Sequence, residues 1–120
     1  MVIIAENLNV MSKKIRDALK DRDPRPIHRM AEAIAGSGAQ MIDVNMGPAR
    51  KGGADLMEWV VKTVQEAVDL PLSLDTSSVE AMEAGLAVSK GKVLINSISA
   101  RPERMKVMMP LAKQYGAAFI

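Results

Sequence analysis

The side chains best suited to chemistry in this 120-residue chain are acids and amides that follow short apolar runs. Glu6 and Asn7 follow Val2-Ile3-Ile4-Ala5, and Asp43 and Asn45 interrupt and end the run that starts at Met41. Asp75 follows Leu72-Ser73-Leu74, and Asn96 follows Val93-Leu94-Ile95. A carboxylate accepts two N–H bonds, while an asparagine amide both donates and accepts. Together such groups suit a flat heterocycle that presents an amidine-like edge beside a carbonyl. None of these positions holds Lys, His or Cys, so they favour hydrogen-bond recognition over covalent catalysis. No residue is assigned as catalytic nucleophile or metal ligand. A purely structural use of each is also open. Asp75 could cap the helix that begins near Ser78, Asp43 could hold a loop, and Asn45 and Asn96 could sit in turns. That account fits any one residue better than all four strand ends at once.

The elements that must position these groups alternate along the chain. Apolar runs at residues 2–5, 41–44, 72–74, 93–95 and from 117 onward read as strands. Between them, apolar residues recur at helical spacing. Ser12 is a candidate cap for a short helix with Ile15, Ala18 and Leu19 on one face, and Asp23-Pro24 is a cap followed by a first-turn proline. Ile27, Met30, Ala31 and Ile34 form the next stripe, stopped by Gly36-Ser37-Gly38. Leu56, Trp59, Val60, Thr63, Val64 and Ala67 make a longer one, and Ser77 or Ser78 caps a helix that turns Ala81, Met82, Gly85 and Leu86 inward. Pro102 opens a last helix with Met105, Met108, Met109 and Ala112 on one face, Pro110 near its end and Gly116 as its stop.

Strand and helix in repeated alternation imply parallel strands with right-handed crossovers. The strands are near-continuous apolar runs, as expected when both of their faces are buried. The expected class is α/β: parallel (β/α) repeats forming the N-terminal half of a TIM-type (β/α)8 barrel. An open doubly wound sheet would carry a glycine-rich turn after its first strand, and Glu6-Asn7-Leu8-Asn9 is not one. A full barrel needs about 250 residues, so residues 1–120 read as one partial barrel domain, from the first strand to the start of the fifth, and the sequence looks truncated. In barrels the C-terminal strand ends build the active site, which is where the acids and amides fall. The composition is 48% hydrophobic and 25% charged, with a net charge of +2 from interspersed groups, which is that of an ordinary globular domain. With Trp59, Tyr115 and Phe119 the only aromatics and no basic stripe, nucleic acid is not an expected partner. No apolar run approaches membrane-span length, and the absence of cysteine is compatible with a reducing cytoplasm.

Asn7, the run Ile42-Asp43-Val44-Asn45-Met46-Gly47-Pro48, Leu72-Ser73-Leu74-Asp75-Thr76 and Leu94-Ile95-Asn96-Ser97 resemble the successive strand-end motifs of the pterin-binding family. The chain is most similar to the branch that moves a methyl group from methyltetrahydrofolate to a corrinoid protein, and Met57-Glu58-Trp59 belongs to the likeness. The resemblance implies that Asp75 binds the pterin ring and that Asn96 joins it, with Asp43, Asn45 and Asn7 lining the same mouth. It implies methyltetrahydrofolate as substrate, cobalamin carried by a partner protein, and Co(I) as the nucleophile. The family's hydrogen bond to N5 comes from an Asn on a later strand, outside this sequence, so the chain alone is expected to be inactive. Dihydropteroate synthase shares the barrel, but its Thr-x-Asp-Ser-Phe and Gly-Gly-Glu-Ser type runs are replaced here by Glu6-Asn7-Leu8-Asn9-Val10 and Asn45-Met46-Gly47-Pro48. A non-catalytic half-barrel assembly module is the third reading.

Other features fit a structural account. His28 flanks an apolar stripe and reads as a boundary residue, and most of the ten methionines read as packing. Arg50-Lys51 could meet the carboxylates of a folate tail but reads more simply as a solvated loop. Lys90, Lys92, Arg101 and Arg104 look scattered and in need of no partner. The open edges of a half barrel pair with other chains, so a homo-oligomer is expected, two halves completing a barrel-like sheet.

Overall fold

Five apolar runs pair side by side in the computed structural model, which describes residues 1–48 and 51–120. They are β1 (Ile4–Asn9), β2 (Met41–Asn45), β3 (Leu72–Asp75), β4 (Val93–Asn96) and β5 (Ala118–Phe119). All pairings are parallel, and the order across the sheet is β1-β2-β3-β4-β5. A doubly wound sheet reverses its order at a switch point; this sheet does not. The helices are α1 (Lys13–Asp21), α2 (Pro24–Gly36), α3 (Gly53–Ala67), α4 (Val79–Val88) and α5 (Pro102–Tyr115). Each packs against the next, α1 on α2 through α4 on α5, so the helical layer follows the strand order. The result is the α/β arrangement of half a (β/α)8 barrel, as the alternation in the sequence requires.

The helices form where local chemistry favours them. Asp23 accepts from the Arg25 backbone N–H and Pro24 occupies the first turn of α2, while Ser78 accepts from the Ala81 N–H at the start of α4. Ser12 stands at the N-cap of α1 but makes no capping bond with its side chain. Gly116, at φ 62°, ends α5 in the left-handed conformation that a side chain would disfavour.

One face of the sheet packs on these helices. Ile42, Val44, Leu72, Leu74, Val93 and Ile95 are all buried, and the register aligns them in two rows, Ile42–Leu72–Val93 and Val44–Leu74–Ile95. Opposite them lie Ile15, Ile27, Met57, Val60, Val61 and Met82, each 0% exposed. Full burial of one such side chain is worth about 1.5–3 kcal/mol, so these two rows and their helical partners anchor the strands. The closest approach is at Gly85 in α4. A Cβ there would lie 2.8 Å from Leu74 Cδ1 and 2.8 Å from Met57 Cγ. Glycine costs a helix about 1 kcal/mol relative to alanine, and here it lets α4 settle directly onto β3.

Three expectations need adjustment. The first strand starts at Ile4 rather than Val2, and Val2 and Ile3 remain 63% and 51% exposed. On α5 the buried residues are Met108, Leu111 and Ala112, while Met105 and Met109 face outward. That helix flanks the edge strand β5 and packs chiefly on α4, so part of its stripe stays exposed. The strands are also not buried in apolar surroundings on both faces, because the second face of β2 and β3 is polar. His28 is a boundary residue as expected, its Nε2 3.3 Å from Glu66 Oε2 without a hydrogen bond between them.

Candidate functional site

Side chains alternate faces along a strand, so the positions between the two apolar rows point the other way. Asp43 aligns with Ser73 in register, and Asn45 aligns with Asp75 and Asn96. The sheet therefore carries its acids and amides on one face, at and just before the C-terminal ends of β2, β3 and β4. Backbone bonds extend beyond the row, from Val10 N–H to Asn45 O and from Met46 N–H to Asp75 O, each 3.4 Å long. These bonds hold the strand ends at fixed heights relative to one another.

The polar groups bond to each other across the strands. Asp43 is 2% exposed, and its Oδ1 accepts from Ser73 Oγ at 2.6 Å and from Asn96 Nδ2 at 3.1 Å. Asn45 Nδ2 donates to Asp75 Oδ2 at 2.7 Å, and Asn45 Oδ1 accepts from the Gly47 N–H at 2.9 Å. The orientation of Asn45 is thereby fixed at both ends of its amide. Asn96 is fixed by its own bond, since an ionised carboxylate only accepts. Asp75 does not cap α4; Ser78 does that, and Thr76 Oγ1 supports it by accepting from the Ser78 N–H at 3.1 Å. Asp75 is thus left with a carboxylate oxygen that no described residue's side chain engages.

Burial pushes the Asp75 carboxyl above the ordinary carboxylate range, and the charges of Asp43 and Glu6 push it further. Its ionised form sits in partial burial beside like charge. Partnered donors brought by a ligand would relieve that strain. A carboxylate held this way, next to correctly oriented amides, is arranged to receive N–H groups rather than to attack a substrate.

The five residues singled out by sequence are placed differently. Asp43, Asn45, Asp75 and Asn96 form the bonded set, and Ser73 completes it. Asn7 lies in β1 at an irregularity between Ala5 and Leu8, exposed and outside the set. Asn9 is the β1 residue in register with Asn45, and its side chain accepts from the Met11 N–H at 2.8 Å. Ser73 was hidden by its position inside an apolar run, although strand alternation from Asp75 would have found it. Arg50 lies outside the described residues, and Lys51 is exposed.

A cavity of about 210 Å³ opens beside this set. It is lined by Asp75, Asn96, Thr76, Ser77, Ser97, Ser99 and Arg104. A second cavity, about 780 Å³ and lined by apolar and backbone-rich positions such as Met109, Pro110, Ala112 and Phe119, lies at the α5–β5 edge, away from the carboxylates.

Fold and site together define a barrel-type α/β protein with a bonded row of acids and amides at its C-terminal strand ends. Residues 5–120 match the model of a family described as pterin binding enzyme, and the chain belongs to that family. It is similar to the methylcorrinoid:tetrahydrofolate methyltransferase of Eubacterium limosum, at 35% identity over 111 residues. That stretch is 92% of this chain and 41% of the relative, so the chain spans about two fifths of the length of the curated relative it matches.

Proposed function

We propose that this chain binds the pterin ring of a tetrahydrofolate and serves methyl transfer between N5 of that ring and a corrinoid carried by a separate protein. The observation that carries this reading is the bonded row of Asp43, Asn45, Asp75 and Asn96 at the strand ends. The pterin edge offers two adjacent N–H donors, and the Asp75 carboxylate accepts them; Asn96 and Asn45 flank it with fixed amides. Asp43 orients Asn96 from behind and adds negative charge where a proton at N5 is favourable. Protonated N5 is the better leaving group, and no residue of this chain has to act as nucleophile. Orientation and electrostatic stabilisation are then the protein's contribution. The corrinoid supplies the cobalt that takes or gives the methyl group.

The relative's name runs from methylcorrinoid to tetrahydrofolate, opposite to the direction expected from the sequence. One site serves both, because forward and reverse transfer share a transition state. The 120 residues form part of a barrel mouth, so we expect them to bind pterin without turning over. The reduced acceptor and donor suit a cytoplasmic setting.

Edges support an assembly state for the isolated chain. β1 and β5 are the two edge strands, and Val2, Ile3, Phe119 and Ile120 beside them are half or more exposed. A second copy pairs its β1 with β5 of the first and its β5 with β1, in parallel at both joins. Sedimentation at tens of micromolar tests this, and a monomer throughout removes it.

Isothermal titration with methyltetrahydrofolate tests the site. Saturable binding is expected, lost by at least about tenfold in Asp75→Ala, since a charged hydrogen-bond acceptor is removed. A folded chain that takes up no ligand defeats the reading.

A further inference from the structure

We infer that Arg104, which lines the same cavity as Asp75 and Asn96, is a receptor for a carboxylate on the tail of the folate substrate. This rests on the pterin reading and extends it to the part of the substrate that the strand-end row does not touch. Arg104 lies in the first turn of α5 and is half-buried. Its Nη1 donates to the Ser77 carbonyl at 3.1 Å, which aims the guanidinium over the turn that follows Asp75. No described carboxylate forms an ion pair with it. The like charges that act on Asp75 come from Asp43 and Glu6, and Arg104 is not among the groups that offset them. The cation is therefore held in place by one carbonyl while its remaining donors have no acidic partner.

The rest of the cavity is lined by hydroxyls. Thr76 is buried, whereas Ser77, Ser97 and Ser99 are exposed, so the cavity is open to solvent. A ligand whose flat ring meets Asp75 and Asn96 leaves through that opening, past donors suited to an anion. Guanidinium and carboxylate match as a two-pronged pair, and a half-buried pair is screened less than one at the surface. A tetrahydrofolate presents this pattern: a neutral donor edge on the ring and carboxylates on the tail. In the sequence Arg104 reads as one of several scattered cations in need of no partner, because nothing in its spacing links it to Asp75.

Two ligands separate the ring from the tail. Methyltetrahydrofolate carries the tail, and 6-methyltetrahydropterin carries the ring alone. Titration of the 120-residue chain is expected to show that Arg104→Ala weakens methyltetrahydrofolate about tenfold or more and leaves 6-methyltetrahydropterin unchanged. Arg104→Lys should recover part of the loss, and p-aminobenzoylglutamate should compete in wild type but not in Arg104→Ala. Equal weakening of both ligands would mean that Arg104 acts by holding the Ser77 turn, and overturns the inference. So does no change in either, the result expected if the guanidinium faces an acidic partner protein instead. Failure of 6-methyltetrahydropterin to bind wild type, or binding indifferent to Asp75→Ala, strikes the pterin reading itself. Circular dichroism establishes that each variant is folded, and Arg104→Gln replaces Arg104→Ala if the latter is not.

Discussion

The two faces of β2, β3 and β4 are made from alternate residues of the same short strands, yet they do opposite jobs. One face holds Ile42, Val44, Leu72, Leu74, Val93 and Ile95 against the helices, all buried and apolar. The other holds Asp43, Asn45, Ser73, Asp75 and Asn96, bonded to one another. On the first face, burial pays for the fold. On the second, two carboxylates lie close enough for Asp43 to raise the Asp75 pKa, an arrangement that a selection for stability alone would not keep. Adjacent residues such as Leu74 and Asp75 therefore should respond to mutation in opposite ways.

The largest effect is expected on the apolar face. Leu74 is 0% exposed, and Leu74→Ala should cost about 2–5 kcal/mol, read from the urea midpoint. Gly85→Ala should cost about 1–3 kcal/mol by overpacking, because its Cβ would strike Leu74 Cδ1 at 2.8 Å. The double variant should cost clearly less than the sum, since Leu74→Ala removes one of the atoms that the new methyl meets. Additive costs would mean that α4 shifts as a body and that the contact at Gly85 does not set its position.

A smaller effect is expected where the faces exchange roles. Ser73 is 0% exposed and polar, and its Oγ donates to Asp43 at 2.6 Å. Ser73→Ala leaves a nearly buried carboxylate with one donor fewer, at a cost of about 1–3 kcal/mol. The same variant should weaken pterin binding only modestly, because Asn96 still bonds to Asp43. If Ser73→Ala abolishes binding while leaving stability untouched, the division between a structural back row and a ligand-facing front row is wrong.

How far the sequence revealed this division varies along the chain. β2, β3 and β4, their order and the four bonded candidate residues were all legible, because short apolar runs that carry or end in Asp or Asn give both signals at once. β1 was less so. Its irregularity between Ala5 and Leu8 breaks the two-residue alternation, so Asn7 could not be told from Asn9 by counting. The stripe on α5 overstated its burial for a different reason: periodicity reports which face turns inward but not how fully neighbours cover its flanks, and Met105 and Met109 stay exposed. Ser73 and Arg104 depend on contacts between residues 30 and 27 positions apart, with Asp43 and Ser77. Local pattern holds no trace of those.

The smallest effect is also the one that most directly separates the faces. Asp75 has a carboxyl raised in the folded protein by burial first, and then by the charges of Asp43 and Glu6. A raised carboxyl means that the folded state holds its proton more tightly than the unfolded chain does. Stability from this group is therefore fully present below the ordinary carboxylate value, and it declines as the pH rises through the raised value. Above the raised value the whole penalty is in force. Asp75→Asn fixes a neutral side chain that can still accept from Asn45 Nδ2, so it should stabilise the fold at pH 7. The gain should be below about 1 kcal/mol, since the group is only partly buried and solvent screens it, or about 1–4 °C in melting temperature. It should shrink towards zero in acid, where Asp75 itself is protonated. Pterin binding should move the other way: wild-type affinity falls as the pH drops through the Asp75 value, because the ligand's N–H groups need the ionised form, while Asp75→Asn binds weakly at every pH. A variant that is less stable than wild type at pH 7 would show that the Asp75 charge is compensated within the fold, and would remove the tension on which its role as a ligand acceptor depends.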